Sequence, residues 1–248
     1  MTTTLPWVFL PGWGMTAASL QPLREQLPGE KITLLEWPDD PECWRQAEVG
    51  NLDALLMRLA EQYPQPALWL GWSLGGLVVA KMAEHHQLGQ LVTGLVSLGA
   101  GPWFVAGKDR PCHWGLNPAE LKAFVRGFKK QPEQAWQHFL NWQSLGEPEG
   151  NRVLARLQAQ KPWPTFALNT GLQLLQQLQA AELLKNPSLP WLLVRGEDDP
   201  LCESWSALQE VYASENVSWV TLQACGHAPQ FSEPQQLANQ LLAWSSRL

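Results

Sequence analysis

The chain has 248 residues, enough for one large α/β domain with a sizeable core or for two small ones. Hydrophobic residues make up 45% and charged residues only 16%, which excludes a disordered chain, and no apolar stretch approaches the length of a membrane span. The net charge of −6 is uneven, because residues 102–185 hold ten Lys/Arg against six Asp/Glu and the excess acid lies elsewhere. Such asymmetry can orient an anionic partner, although a solvated helical surface is the plainer reading of charge counts alone.

The first six residues, Met1 to Pro6, have no basic region ahead of an apolar run, so a secretory signal is not expected. Residues 7–10 and 32–35 read as short buried strands with a helix between them. Leu52, Leu55, Leu56 and Leu59 form a helical stripe. Residues 67–70 are an apolar strand that runs into Gly71-Trp72-Ser73-Leu74-Gly75, after which residues 76–83 read as a helix packed on a sheet. A further apolar run spans 91–98. Near the C-terminus, residues 191–194 and 217–220 are strands, and Leu237, Leu241, Leu242 and Trp244 give the last helix a buried face. Strands alternating with helices predict a mostly parallel sheet covered on both sides.

Residues 103–186 break the alternation. They carry helical patterns such as Leu121, Phe124, Val125 and Phe128, divided by Pro118, Pro132, Pro148, Pro162 and Pro164. The expected organisation is a core of residues 1–102 and 187–248 with a helical cap inserted between two strands. Most of the cap's rings are expected to pack on each other, with a minority lining an apolar pocket.

Between a strand and a helix, Gly-x-Ser-x-Gly reads as a nucleophile elbow. The sharp turn exposes the Ser73 hydroxyl, and β-carbons in place of Gly71 and Gly75 would crowd it. A serine is a weak nucleophile at neutral pH and requires an adjacent base. His227, in the loop between the last strand and the last helix, is the candidate. His85 and His86 stand about three turns along the elbow helix and are expected in solvent, while His113 and His138 fall in the cap. The carboxylate that orients the base is sought in Glu197-Asp198-Asp199, with Asp199 preferred and Asp198 in reserve. Oxyanion donors are expected from the backbone N–H groups of Leu74 and of Trp13, in the glycine-rich turn after the first strand. The scattered cysteines, Cys43, Cys112, Cys202 and Cys225, contain no C-x-x-C pair, which disfavours a disulfide framework or zinc site and suits the cytoplasm.

With Pro11-Gly12-Trp13-Gly14, the elbow, Gly196-Glu197-Asp198-Asp199 and Gly226-His227-Ala228-Pro229 in this order, the chain resembles the α/β-hydrolase superfamily. Trp72, the Gly-Trp-Gly turn and the cap segment from Phe139 to Gly146 make it similar, more narrowly, to the pimeloyl-[acyl-carrier protein] methyl ester esterases of biotin synthesis. The resemblance implies a Ser73-Asp199-His227 triad, oxyanion donors at Trp13 and Leu74, acyl-chain contacts from Trp13 and Phe139, and carrier contacts from Arg152 and Arg156. It implies no metal or organic cofactor, no nucleic acid or membrane partner, and a monomer acting on a carrier-bound methyl ester and on small esters. Two upstream cap arginines of the family are replaced by Gln134 and His138, for which Arg126, Lys129 and Lys130 offer compensating charge. Pro11 stands where the family usually has histidine, and residues 36–40 lack its Gly-x-Gly-x-Ser loop. Three other readings share the scaffold: a generic short-chain esterase, a menaquinone-pathway lyase (against which Leu77 replaces an arginine), and a silent binding protein.

Overall fold

The computed structural model describes residues 5–160 and 163–248. The N-terminal residues 1–4, and Lys161 and Pro162 of the expected cap, lie outside the described residues. Six parallel strands form one sheet: β1 (Trp7–Leu10), β2 (Ile32–Leu34), β3 (Ala67–Trp72), β4 (Val92–Leu98), β5 (Trp191–Gly196) and β6 (Val217–Leu222). Their order across the sheet is β2-β1-β3-β4-β5-β6. The chain steps from β1 to β2 in one direction and then returns past β1 to β3. The β1/β3 boundary is therefore the topological switch point, where parallel sheets open a crevice beyond the strand ends.

Burial on both faces explains the run-like sequences of β1, β3 and β5, in which every residue is buried. Helices α1 (Gln21–Glu25), α2 (Pro41–Glu48), α3 (Asp53–Gln62), α4 (Leu74–Glu84), α10 (Ser206–Val211), α11 (Pro229–Ser232) and α12 (Pro234–Ser245) lie before β4 or after β5 in the chain, with α4 packed on β3 and β4 and α12 on β6, and α5 (Pro118–Lys130), α6 (Pro132–Ser144), α7 (Gly150–Gln158), α8 (Thr165–Gln177) and α9 (Ala181–Lys185) all fall between β4 and β5. One sheet face presents Trp7, Leu68 and Gly94 in register, and Trp244 of α12 covers it, its ring 6.2 Å from that of Trp7. The opposite face presents Ser97, against which Gly76 of α4 is seated. Helices thus cover both faces, as the alternation predicts.

Several local readings change. The strand β2 is only partly buried because it lies at the sheet edge. Helix α2, absent from the sequence reading, starts at Pro41 with the Asp40 carboxylate accepting from the Glu42 N–H. Leu242, expected on the buried face of α12, is 39% exposed, since Leu237, Leu241 and Trp244 already fill that face. His85, expected in solvent, stacks on His86 with ring centroids 4.7 Å apart, and its side chain is buried, with Nε2 3.5 Å from Asp53.

The turn from β3 into α4 is tightly packed. A β-carbon on Gly71 would overlap the backbone of Gly75 and Gly76, and one on Gly75 would lie 2.6 Å from the carbonyl oxygens of Leu10 and Pro11. The obstructing atoms are all main chain and cannot rotate away. Gly71→Ala should therefore lower stability by about 3 kcal/mol, at the upper end of overpacking costs. Gly127→Ala, on α5 with nothing within 4 Å of its β-carbon, should raise stability by about 0.5–1 kcal/mol. Urea denaturation of the two variants checks both signs.

Candidate active site

Ser73 sits between β3 and α4 with φ 53° and ψ −118°, a conformation that residues bearing a β-carbon rarely adopt. Holding a non-glycine residue there costs about 1–3 kcal/mol, which the surrounding main-chain contacts must offset. Its N–H donates to the Leu98 carbonyl at 2.8 Å and its own carbonyl accepts from Gly76 at 2.9 Å, so the turn is tied to β4 and to α4. Ser73 is only 4% exposed, and its side chain makes no capping hydrogen bond to α4.

The His227 imidazole is wholly buried. Its Nδ1 lies 3.0 Å from Oδ1 and 2.9 Å from Oδ2 of Asp199, whose side chain is equally shielded from solvent. Asp199 Oδ1 also accepts from the N–H groups of Leu201 at 2.8 Å and Cys202 at 3.1 Å. Those donors compensate a carboxylate taken out of water, a cost that a single partner would not cover. Arg195 braces the same loop, donating from Nε to the Cys202 carbonyl and from Nη2 to the Glu197 carbonyl. Asp198, the reserve, is exposed, and its N–H donates to the Cys225 carbonyl at 3.0 Å. Burial and direct contact therefore select Asp199 as the partner of His227.

With Nδ1 committed to the carboxylate, Nε2 is the free nitrogen, and it has no hydrogen-bond partner among the described residues. The ring lies against Gly99, where a β-carbon would be 3.0 Å from Cε1. Gly99 follows Leu98, the residue that accepts from the Ser73 N–H. Trp72, the neighbour of Ser73, donates its indole N–H to the His227 carbonyl at 2.9 Å. The imidazole thus lies beside Trp72 and Gly99, the residues next to Ser73 and to its acceptor Leu98.

The turn after β1 completes the wall. A β-carbon at Gly12 would be 3.4 Å from Cβ of Ser73, which places the Gly12-Trp13 peptide beside the elbow. The N–H of Trp13 donates to no group among the described residues, and the N–H of Leu74, the first residue of α4, has no intrahelical acceptor. The Trp13 indole turns the other way. Its Nε1 donates to the Leu168 carbonyl at 2.9 Å, and its ring meets Phe139, Trp136, Phe128 and Phe124 edge-on, with Phe139 nearest at 4.8 Å between centroids. Phe139 therefore packs directly on the Trp13 side chain.

The basic residues lie further out. Arg152 is exposed and paired with Glu149 at 2.7 Å, touching none of the other site residues. Arg156, one turn along α7, is half-buried, donates to the Phe231 carbonyl at 3.1 Å and lies over the Phe231 ring. Gln134 and His138 line a groove of about 530 Å³ between α5 and α6, with Phe124 and Trp142 on its walls. Arg126, Lys129 and Lys130 are exposed on α5.

Two features are missing from the sequence reading. Glu147 is 8% exposed, and its Oε1 accepts from the N–H of Ala228 at 2.7 Å. Gln230 is wholly buried. No local pattern marks Glu147, since its contact joins loops distant in sequence.

A family model described as "Alpha/beta hydrolase family" matches residues 7–240. The chain belongs to this family. It is 32% identical to a Pimeloyl-[acyl-carrier protein] methyl ester esterase of Salmonella newport (strain SL254), over 97% of this chain and 94% of that protein. It is 30% identical to one of the same name from Vibrio vulnificus (strain CMCP6), over the whole of both chains. Among solved structures it is similar to a bromoperoxidase from Bacillus anthracis, with TM-score 0.79, 16% identity and coverage of 98% and 92% of the two chains. It is also similar to an esterase from Exiguobacterium antarcticum, with TM-score 0.76, 14% identity and coverage of 99% and 93%. These two show the shared fold. Among the described residues, no helix is long and apolar enough to cross a membrane, and no cluster of three or more His, Cys, Asp or Glu is placed to hold a metal ion.

Cys225, two residues before His227, carries a buried thiol in the same loop. Burial, reinforced by the negative charge of Glu147, pushes its thiol up to about 12, and burial pushes Cys43 up to about 11. The fully buried Cys202 is raised well above its ordinary value as well. At pH 8 these thiols remain protonated and shielded, hence unreactive. Iodoacetamide at pH 8 should leave the native protein's Cys43, Cys202 and Cys225 unmodified, whereas all four cysteines react in urea. Mass spectrometry of the alkylated protein checks this. Rapid native modification of Cys225 would contradict the burial argument.

Proposed function

We propose that this chain is a serine carboxylesterase that hydrolyses the methyl ester of a pimeloyl group held on an acyl-carrier protein. The chemistry rests on one observation above all, the buried His227–Asp199 pair beside an elbow that presents Ser73. The substrate assignment draws on the full-length similarity to relatives carrying that name.

Ser73 Oγ attacks the ester carbonyl carbon as His227 Nε2 takes its proton. The imidazolium is stabilised by Asp199, which stays ionised. The oxyanion of the tetrahedral intermediate is met by the N–H groups of Trp13 and Leu74, each worth roughly 3 kcal/mol in the transition state. Collapse expels methanol, protonated by Nε2. A water deprotonated by the same nitrogen then attacks the acyl-enzyme, releasing the free carboxylate and restoring the Ser73 hydroxyl. Every proton is passed by one imidazole, and the steps as written use no metal or organic cofactor.

In this reading, residues 103–186 act as a cap over a core of residues 1–102 and 187–248. Trp13 and Phe139 bound the acyl chain, and their rings, which meet edge-on, provide an apolar wall. Arg152 and Arg156 face the acidic carrier, Arg152 from its exposed position on α7. The protein acts as a cytoplasmic monomer on the carrier-bound ester and also turns over small esters.

Hydrolysis of methyl-pimeloyl carrier protein, followed by mass spectrometry, tests the assignment, with p-nitrophenyl butyrate as the small-ester comparison. Ser73→Ala should lower kcat on both substrates by at least about 10⁴-fold. Arg152→Glu should raise KM for the carrier-bound ester about two- to fivefold, the range of an exposed charge contact, and more than for p-nitrophenyl butyrate. Turnover of the small ester with none of the carrier-bound one would make the chain a generic esterase. Full activity in Ser73→Ala would remove the mechanism.

A further inference from the structure

The connection between α6 and α7 does more than join two helices. Its residues Leu145, Gly146 and Glu147 run between the loop that carries Asp199 and the loop that carries His227. A β-carbon on Gly226 would lie 2.5 Å from the Leu145 carbonyl oxygen and 3.1 Å from Oε1 of Glu147. Gly146 has φ 76°, and a β-carbon there would overlap the Asp198 carbonyl and lie 2.8 Å from the Asp198 Cβ. The two loops also hold each other, since the Asp198 N–H donates to the Cys225 carbonyl. Within this three-way contact the one side chain that reaches a main-chain donor beside the imidazole is that of Glu147, on the N–H of Ala228.

We infer that Glu147 is a positioning residue for His227, its buried carboxylate fixing the Ala228 amide and so the angle at which the preceding imidazole meets Ser73. Ala228 is wholly buried, so its N–H has no water to turn to when the carboxylate is removed. The His227 ring has one anchor at Nδ1, and a hydrogen bond to Asp199 alone leaves the ring free to move with its loop. The Trp72 indole on the His227 carbonyl and Glu147 on the following amide bracket the residue from both sides. Small displacements of a general base from its line of proton transfer are costly in rate even when substrate binding is intact. Glu147 also lies on the element that follows the Phe139 helix, so the acyl-contacting side of α6 and the base loop share one short support.

The inference rests on the esterase reading, and Ser73→Ala serves as the control that separates the two. Glu147→Met keeps the side chain's length and removes the acceptor, Glu147→Ala truncates it, and Glu147→Gln keeps a carbonyl oxygen in place of Oε1. With p-nitrophenyl butyrate, Met and Ala should lower kcat roughly 10- to 100-fold with KM within about twofold of wild type, and Gln should stay within about threefold in kcat. Urea denaturation shows which variants are folded, and either acceptor-free variant suffices. In the wild-type protein, the Ala228 amide should exchange slowly with deuterium, at the rate of the core strands. A folded acceptor-free variant with kcat within twofold of wild type, a Gln variant as slow as Met, a loss confined to KM, or fast exchange at Ala228 would each overturn the role of Glu147. An active Ser73→Ala would instead overturn the esterase reading.

Discussion

Everything at the strand ends depends on how closely α4 can approach β1 and β3. The main chain of Gly71, Gly75 and Gly76 passes within contact distance of itself and of Leu10 and Pro11, which leaves Ser73 no helical conformation to relax into. The strain at Ser73 is local, and the backbone contacts that enforce it are distributed over β1, β3 and the start of α4. A larger residue at any of the three glycines would open the turn, withdraw the hydroxyl and separate the elbow from the turn bearing Trp13. The packing of glycines against carbonyls is thus a condition for the site rather than an ornament of the sheet.

The second condition is electrostatic. Asp199 and His227 are shielded from solvent, where an unpaired carboxylate would be costly. Two main-chain N–H groups and the imidazole Nδ1 satisfy the carboxylate, and Arg195 holds the loop that supplies those N–H groups. Because Nδ1 is held by the carboxylate, the lone pair is directed to Nε2. In the proposed mechanism this sets the tautomer required of a general base before substrate arrives. Burial also pushes up the thiols of Cys202 and Cys225, so that in the proposed mechanism neither competes with Ser73 as a nucleophile.

The alternation of apolar runs and helical stripes is enough to indicate a mostly parallel sheet but not its strand order, because strands buried on both faces must be apolar throughout and cannot hide that pattern. The elbow was legible for a related reason: its glycines are required by contacts within eight residues of chain or with the adjacent strand. Partnerships made between loops were harder to read. Asp198 and Asp199 are adjacent and chemically equal, and only the fold turns one inward and the other to solvent. Glu147 carried no signal, since its acceptor role exists only when residues 147 and 228 meet. Leu242 and His85 lie otherwise than expected, because position along a helix does not tell what already occupies the space around a side chain. Helix α2 has a capping signal at Asp40-Pro41, but its apolar stripe is short, with Cys43, Trp44 and Ala47 as its buried face.

The account turns on whether the Ser73 hydroxyl is activated by the His227–Asp199 pair. The most direct measurement is covalent labelling with a fluorophosphonate, with the adduct located by peptide mass spectrometry. The account predicts one adduct per chain, on Ser73, and a large loss of labelling rate in His227→Ala with the fold intact. Labelling that continues at the wild-type rate without the imidazole, or that settles on another residue, would contradict it.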